Sequence, residues 1–513
     1  MHQGNPGPPW HDDVMTLSAD FSATPVRQHG AEIQRLCDAM VAAGRAGRYP
    51  QLTVERPWSV HNPVLEGEFA SPEAIRWYLE RELARLAARG ARISVGPGRE
   101  ALDLRDPRLS AAVDETRWDL RRKKLFLFAP ERMALSIDRL QHYTGTPAES
   151  FQRYVLLTNY SWHVEEFRAA LPGCSGPDSD GRQMPAWHHM LPGRSGVTMV
   201  NIGVGPSNAK TITDHLAVLR PDLMLMIGHC AGLRNHQETG DLVLATAYVR
   251  DDHVLDDMLP LSVPIVSNHT LNTLLLGELT ARCLRSRMGI VYTTANRNWE
   301  LHLAQAEDHL RQSRALAVDM ESATVAANGF RYRIPTATLL AVSDKPLHAQ
   351  PKLSADAQSF YAASRRQHVE IAISVAEKVR QLYPGGLPAA DLRSADEPLL
   401  GTTSPEPTQT PGLYGGLCRF DHAVRPLCRR SIRRRLPGTC DGIVGSRQHV
   451  RMSRRMGCCP ALGARHGVLA VPADVGAGLA AIGDHQGQRK RDAAHGALGN
   501  LQRPGPVARR GRR

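Results

Sequence analysis

The stretch Leu223-Met-Leu-Met-Ile227 is an uninterrupted apolar run that leads into the small-residue segment Gly228-His-Cys-Ala-Gly232. Five apolar residues without polar alternation are typical of a strand that is buried on both faces. Strands of this kind occur mainly in parallel sheets that helices cover on both sides. The stretch therefore predicts a central strand of an α/β domain.

Similar apolar runs alternate with helix-like segments around this strand. We predict further strands at 154–158, 197–203, 242–249 and 338–342, and helices at 322–329 and 354–382. This alternation indicates a mainly parallel twisted sheet flanked by helices, over residues 151–400. Ligands bind such sheets beyond the carboxyl ends of the strands, so we expect the functional residues at that edge.

The segment before residue 151 has a different pattern. Residues 1–30 predict a disordered leader, and residues 31–150 an N-terminal α+β domain. Within it we expect helices at 31–43 and 72–88 and short strands at 52–54, 93–95 and 125–128. Pro72 suits the first turn of the second helix.

The charge of the chain is concentrated at its end. The 513 residues have a formal net charge of +12. Residues 402–513 carry 20 basic and 6 acidic side chains, so the rest of the chain is close to neutral. This distribution argues against a nucleic-acid-binding function for the body. We interpret residues 401–513 as an Arg-rich, low-order tail, disordered or translated from a shifted reading frame, with an RNA-binding arm as the alternative.

The cysteines and the hydropathy pattern bear on location. The body holds Cys37, Cys174, Cys230 and Cys283, and no C-x-x-C spacing occurs, so we expect reduced thiols and no metal site. The N-terminus lacks the apolar core of a signal peptide, and no run of 18 apolar residues occurs. We therefore expect a cytoplasmic protein with no membrane partner.

Two carboxylates lie where strands are expected to end. Glu321, in Asp319-Met-Glu-Ser-Ala323, precedes a predicted helix, and Asp344 follows a predicted strand. A carboxylate can accept two hydrogen bonds from adjacent sugar hydroxyls, and a carboxyl in a dry site can act as a general acid. The alternatives are a favourable charge at a helix start for Glu321 and an N-cap for Asp344. Together the two residues indicate chemistry at an N-glycosidic bond.

The segment Gly203-Val-Gly-Pro-Ser-Asn-Ala-Lys210 follows a strand and begins a helix. Glycines allow the backbone to approach a ligand, and the free N–H groups of a helix start favour a phosphate. Ser207 or Asn208 could equally be a plain N-cap.

Two other segments carry groups that could contact a ligand. Arg297 could pair with a phosphate and Trp299 could stack on a base, or the two could be a surface ion pair and an anchor residue. In Gly228-His-Cys-Ala-Gly232, His229 and Cys230 could suggest a nucleophile or a metal ligand. We instead interpret Cys230 as a small buried hydrophobic residue.

Several longer motifs resemble the bacterial AMP nucleosidase family, from about residue 49 to 400. They are Tyr49-Pro-Gln-Leu-Thr-Val54, Arg139-Leu-Gln-His-Tyr-Thr-Gly-Thr-Pro147, Gln183-Met-Pro-Ala-Trp-His188, Arg250-Asp-Asp-His-Val-Leu-Asp256 and Val342-Ser-Asp-Lys-Pro-Leu-His348, together with Thr158-Asn-Tyr160 and the segments around Gly205, Arg297 and Glu321. The resemblance implies a catalytic domain of the nucleoside phosphorylase/hydrolase fold and the conversion of AMP and water to adenine and ribose 5-phosphate, with a role in purine salvage and control of the AMP pool.

The resemblance also implies roles for individual residues. Asp344 would donate a proton to adenine N7, water would attack C1′, and Glu321 would hold the ribose hydroxyls. Residues expected to line the substrate are Met320 beneath the sugar, Asn159, Tyr160, Gly205 and Ser207 at the ribose and phosphate end, Trp299 at the base, and Arg297, Lys345 and Lys210 as possible partners of the 5′-phosphate. No cofactor is expected for the chemistry.

The family's regulation and assembly are implied in the same way. They are a regulatory role for the N-terminal domain at residues 31–150, activation by MgATP, inhibition by phosphate and a homohexamer. The chain departs from the family in a short 173–182 segment, in Trp162 and His163 where an Arg and a Tyr are usual, in Ala231, and in Ala295-Asn296. The alternatives are a phosphate-dependent nucleoside phosphorylase and a catalytically weakened nucleotide-binding homologue.

Overall fold

The computed structural model describes residues 16–59, 63–113, 125, 128–348, 350 and 354–388. The chain divides into two compact units, residues 1–416 and 417–513, and all described residues belong to the first. The predicted tail at 401–513 lies outside the described residues, as do residues 126 and 127 of the predicted strand at 125–128.

A four-stranded antiparallel sheet forms the N-terminal domain, in the order β1-β4-β2-β3. Its strands are β1 (Leu17–Asp20), β2 (Gln51–Glu55), β3 (Val64–Glu68) and β4 (Arg92–Gly96), and its helices are α1 (His29–Arg45), α2 (Arg76–Ala87) and the short α3 (Leu109–Ala112). Leu52 and Val54 alternate with exposed or half-buried residues along β2 and face the core.

The N-terminal boundary differs from the predicted one. Residues 1–30 were expected to be a disordered leader, but residues 17–20 pair with β4 and α1 begins at His29. The sequence Leu17-Ser-Ala-Asp20 is too short to show a strand pattern by itself. It is a strand because β4 provides hydrogen-bonding partners for its backbone.

The larger domain contains an eight-stranded mixed sheet in the order β11-β10-β9-β12-β8-β5-β7-β6. The strands are β5 (Tyr154–Thr158), β6 (Ala186–His189), β7 (Val197–Asn201), β8 (Leu223–Gly232), β9 (Leu242–Asp251), β10 (Ser286–Thr294), β11 (Ala317–Asp319) and β12 (Thr336–Asp344). The helices are α4 (Pro130–Thr144), α5 (Ser161–Ala170), α6 (Pro206–Leu216), α7 (His269–Ala281), α8 (Leu303–Ser313), α9 (Ser322–Tyr332) and α10 (Ser354–Leu382).

Most strand pairs in this sheet are parallel, as the apolar runs predicted. The antiparallel pairs are β6 with β7, β9 with β12, and β8 with β11. Strand β8 is bonded to β5 on one edge and to β12 on the other, and its end also pairs with β11. The predicted α/β fold with a parallel central strand is confirmed.

A continuous hydrophobic cluster joins the N-terminal domain to the larger one. It runs from Leu52 and Ile93 of the small sheet through Met133 of α4 to Ile212 of α6 and Val325 of α9. Since these side chains bury a large apolar area in common, the two domains stabilise one another.

Charged residues reinforce this contact. The side chain of Asp222 is 2% exposed, and its carboxylate accepts a hydrogen bond of 2.5 Å from the guanidinium group of Arg81 in α2. Arg153, just before β5, reaches the same carboxylate at 2.5 Å.

Among the described residues, no helix has the length and the apolar character needed to cross a membrane.

Candidate active site

The Glu321 carboxyl group lies at the N-terminus of α9, directly after β11, with 3% of the residue exposed. Its Oε1 accepts a hydrogen bond of 2.7 Å from the backbone N–H of Gly205. Its Oε2 accepts one of 3.3 Å from the Nδ2 of Asn159. These bonds gather the ends of β5, β7 and β11 around one carboxyl group.

Asp319 fixes the turn that presents Glu321. The Thr293 hydroxyl donates to Asp319 Oδ1 at 2.5 Å, and the Ser322 N–H donates to Oδ2 at 2.9 Å. The Ala323 N–H in turn donates to the Thr293 hydroxyl at 3.0 Å. Sequence reasoning assigned Asp319 no role, although an acidic pair spaced by one residue before a helix was a signal that could have suggested one.

Burial, together with the nearby Asp319 charge, raises the pKa of Glu321 to about 8. The bonds from Gly205 and Asn159 oppose this shift because they stabilise the charged form. Each carboxyl oxygen has two lone pairs, so each retains acceptor capacity after these bonds. The group is therefore suited to bind two hydroxyls of a ligand.

Gly205 begins α6 with a backbone conformation that favours glycine. Its φ is 108° and its ψ is 154°, and no heavy atom lies within 4 Å of the position that a Cβ would take. Gly205 is the N-cap residue of α6, and it has no side chain that could accept a hydrogen bond from the first turn. The N-terminus of this 11-residue helix begins beside open space at Gly205, and a helix N-terminus of this kind favours an anion.

Asp344 is the last residue of β12 and follows an irregularity in the pairing of β12 with β8. The register shifts between Val342 and Asp344, so Ser343 forms a bulge. Its hydroxyl donates to Asp344 Oδ1 at 2.5 Å and lies 3.2 Å from the Cys230 carbonyl oxygen. A bulge changes the direction in which the next side chain points, which explains how Asp344 leaves the regular alternation.

Strand β8 relates the two carboxyl groups to each other. We expected them at the ends of two neighbouring strands, but β11 and β12 do not pair with each other. Instead Ala231 of β8 pairs with Val318 on one side and with Asp344 on the other. Two strand spacings separate Asp344 from β11 at this level, which is roughly 10 Å.

Aromatic and apolar side chains lie beside Asn159 and Glu321. Tyr160 stacks on Trp162 with ring centroids 4.4 Å apart and contacts the His229 ring edge-on at 4.6 Å. Met320, directly before Glu321, is half-buried. The structure therefore brings Met320, Asn159, Tyr160, Gly205 and Glu321 into one region, with Ser207 exposed in the first turn of α6.

The predicted cationic residues have different environments. Lys210 Nζ donates to Asp214 at 2.6 Å, and the buried Lys345 donates to the Asn235 carbonyl oxygen at 3.1 Å. Arg297 is exposed and makes no hydrogen bond or ion pair within the described part of the chain. Trp299 is buried against Tyr292 in a separate hydrophobic cluster. None of the four forms a hydrogen bond or ion pair with Glu321 within the described residues.

The sequence of the larger domain matches a known family model. Residues 153–377 match the model of the phosphorylase superfamily. The sheet described above is consistent with that match.

Two curated proteins are similar to this chain in sequence. The chain is 45% identical over 313 residues to AMP nucleosidase from Escherichia coli K12, a match that covers 53% of this chain and 64% of that protein. It is 25% identical over 113 residues to uridine phosphorylase from Haemophilus influenzae, covering 22% of this chain and 44% of that protein. The resemblance to AMP nucleosidases that the motifs indicated is confirmed.

A solved structure is also similar. The crystal structure of AMP nucleosidase from Bacteroides thetaiotaomicron has 28% sequence identity and a TM-score of 0.43, and the match covers 49% of this chain and 99% of that one.

Proposed function

We propose that the chain hydrolyses the N-glycosidic bond of AMP to give adenine and ribose 5-phosphate. The observation that carries the proposal is the buried Glu321, bonded to Gly205 and Asn159 beside open space, with Asp344 two strand spacings from β11, the strand that precedes Glu321. The 45% identity to the E. coli AMP nucleosidase supports the choice of substrate.

Glu321 holds the ribose in this proposal. The oxygens of its carboxyl group retain acceptor capacity for the two ribose hydroxyls, and Gly205 and Asn159 keep the group in position. Such contacts orient the sugar so that C1′ is presented to water, which lowers the entropic part of the barrier. Met320 packs against the sugar.

Asp344 is the general acid. It transfers a proton to adenine N7 while the bond from C1′ to N9 breaks and its electron pair passes to the base. The sugar becomes positively charged at C1′ and water adds there. The proton that the water loses returns through solvent to the Asp344 carboxylate, which restores the general acid and completes the hydrolysis. The separation of Asp344 from β11 suits a substrate whose base lies at one carboxyl group and whose sugar lies at the other.

The 5′-phosphate is placed at the N-terminus of α6. Backbone N–H groups at this helix start and the exposed Ser207 are donors that face a dianion favourably. Arg297 is the cation best able to join them, because it makes no ion pair within the described residues, whereas Lys210 and Lys345 have other partners.

The proposed reaction is tested by measuring free adenine after incubation with AMP or adenosine, each with and without inorganic phosphate. Release of adenine from AMP in the absence of phosphate is the expected result. Release from adenosine that requires phosphate would instead identify a phosphorylase. Binding of AMP without any adenine release would identify a nucleotide-binding homologue.

Regulation, assembly and location are proposed on the resemblance alone. We propose a cytoplasmic homohexamer in purine salvage that is activated by MgATP and inhibited by phosphate. Sedimentation of the full chain tests the assembly, and adenine release at fixed AMP with added MgATP or phosphate tests the regulation.

A further inference from the structure

Three histidines from distant parts of the chain meet in the interior of the larger domain. His163 of α5, His229 of β8 and His368 of α10 are all buried. One ring nitrogen of each lies within 4.8 Å of the corresponding nitrogens of the other two. The proposed hydrolysis does not use this cluster.

The spacing of the three rings is close to that of imidazoles on a single ion. The ring centroids are 5.6 Å apart for His163 and His229, 5.4 Å for His163 and His368, and 5.5 Å for His229 and His368. Three imidazoles bound to one tetrahedral ion at ordinary zinc–nitrogen lengths would have centroids roughly 5.2 Å apart. The three centroids thus form a nearly equilateral triangle of the size that a single bound ion requires.

A distance between two nitrogens agrees with this geometry. His163 Nε2 and His368 Nδ1 are 3.4 Å apart. Two nitrogens on one tetrahedral zinc ion are separated by roughly 3.3 Å. The same separation is a long distance for a hydrogen bond between two imidazoles.

In two of the rings, the nitrogen that would not bind the ion lies near a hydroxyl group, as is common for histidines that bind metals. His163 Nδ1 lies 2.7 Å from the Thr158 hydroxyl, and His229 Nε2 lies 3.3 Å from the Ser364 hydroxyl. Metal-bound histidines commonly bond an oxygen through the nitrogen that does not bind the ion, which fixes the ring orientation and the tautomer.

We propose that His163, His229 and His368 bind one divalent transition-metal ion of the zinc type. Neutral imidazole is a ligand that suits Zn²⁺ and its neighbours in the first transition row, whereas Mg²⁺ and Ca²⁺ prefer oxygen. The fourth position is filled by water or a small anion. The ion joins α5, β8 and α10, so it stabilises the larger domain close to Tyr160.

The test uses the full chain after treatment with a chelator. Zn²⁺ is added in a calorimetric titration, and Co²⁺ is added in a parallel absorption experiment, because tetrahedral Co²⁺ gives a visible band. The variants are His163→Gln and His368→Gln. The matched control is His188→Gln, since His188 is also fully buried and hydrogen-bonded to a threonine but lies outside the cluster.

The expected result is one Zn²⁺ per chain, a rise in melting temperature on binding, and a visible Co²⁺ band. Both cluster variants should weaken Zn²⁺ binding by at least about 10- to 100-fold, while the control binds normally. The proposal is overturned if the wild type binds neither ion, or if the cluster variants bind as the wild type does.

A spectroscopic experiment on the wild type tests the proposal even if the histidine variants fail to fold. X-ray absorption of the wild-type zinc protein should show three imidazole nitrogens at roughly 2.0–2.1 Å. A shell dominated by oxygen or sulfur would contradict the assignment even without any variant.

Discussion

The backbone N–H of Gly205 donates a 2.7 Å hydrogen bond to the carboxyl group of Glu321, which lies 116 residues later in the chain. This bond joins the N-terminus of α6 to that of α9, and the two helices pack against each other. The position of the proposed ribose anchor therefore depends on the backbone conformation of a single glycine.

Gly205→Ala should weaken AMP binding and lower stability. The φ of 108° at this position is strained for any residue with a Cβ, so the start of α6 must shift and the bond to Glu321 lengthens. We expect a KM for AMP at least about 10-fold higher and a loss of roughly 1–2 kcal/mol of unfolding free energy.

The control for this variant is Gly277→Ala. Gly277 lies within α7, has no positive φ, and leaves open space for a Cβ. Alanine there should stabilise the protein by about 0.4–1 kcal/mol and leave the KM unchanged. Equal effects of the two substitutions on the KM would argue against a special role for Gly205.

Glu321→Gln should preserve the fold but impair catalysis. The glutamine oxygen can accept from Gly205, and its NH2 group can donate to Asn159 Oδ1, which has no partner within the described part of the chain. The loss of an acceptor for the ribose should lower kcat/KM by about 10- to 100-fold. Full activity of this variant would show that Glu321 does not hold the ribose.

The same variant should change how stability depends on pH. The pKa of Glu321 is about 8 in the folded protein, against its ordinary value of 4.5, so the folded state retains a proton that the unfolded state has lost. Stability from this group is therefore lost as pH rises from about 4.5 to 8.

Denaturant unfolding at pH 5 and pH 8 measures the effect. Relative to Glu321→Gln, the wild type should lose on the order of 1–3 kcal/mol between these values. An identical change in both proteins would mean that the carboxyl group is not protonated in the folded state.

Asp344→Asn should abolish most turnover and retain AMP binding. Asparagine keeps the shape of the side chain but cannot release a proton to the base, and a general acid contributes about 10²- to 10⁴-fold. Adenine release should fall by at least about 100-fold, with AMP affinity by calorimetry changed little. Asp180→Asn, at an exposed loop position, is the control that should remain active.

Asp222→Asn should destabilise the protein strongly. The buried Asp222 carboxylate accepts from both Arg81 and Arg153, and its loss leaves two guanidinium groups without their partner there. We expect a loss of about 3–5 kcal/mol in unfolding free energy, from urea midpoints.

The comparison for Asp222 is an ion pair on the surface. Glu307 pairs with Arg311 on α8, and both side chains are more than half exposed. Glu307→Gln should therefore change stability by at most about 0.5 kcal/mol. Similar losses for both substitutions would contradict the importance of burial at Asp222.

The sequence was most informative where apolar runs were long. The runs at β5, β8, β9 and β12 and the helical spacing of α10 predicted those elements, and α10 has the expected bounds 354–382. Strand β11 has only three residues, and β6 has the sequence Ala186-Trp-His-His189, so neither shows a pattern by itself. These strands exist because neighbouring strands provide their hydrogen bonds.

Part of the candidate active site could be predicted from the order of strands and helices. Glu321 and Asp344 follow strands, so their common edge of the sheet could be expected from the topology. The sequence could not show whether Lys210 binds a ligand or a neighbouring side chain. In the structure its ammonium group pairs with Asp214, four residues later on the same helix. The meeting of His163 with His368, 205 residues apart, depends on how helices pack across the sheet and leaves no local pattern.

Strand β8 is bonded to β5 and β12 on its two edges and to β11 at its end. Its amide hydrogens are thus withdrawn from water on both sides, and they should be among the slowest in the domain to exchange with deuterium. Chain termini and loops can open and close many times while Ala231 and its neighbours remain paired. The spacing of the two carboxyl groups is then a property that persists through local unfolding elsewhere in the domain.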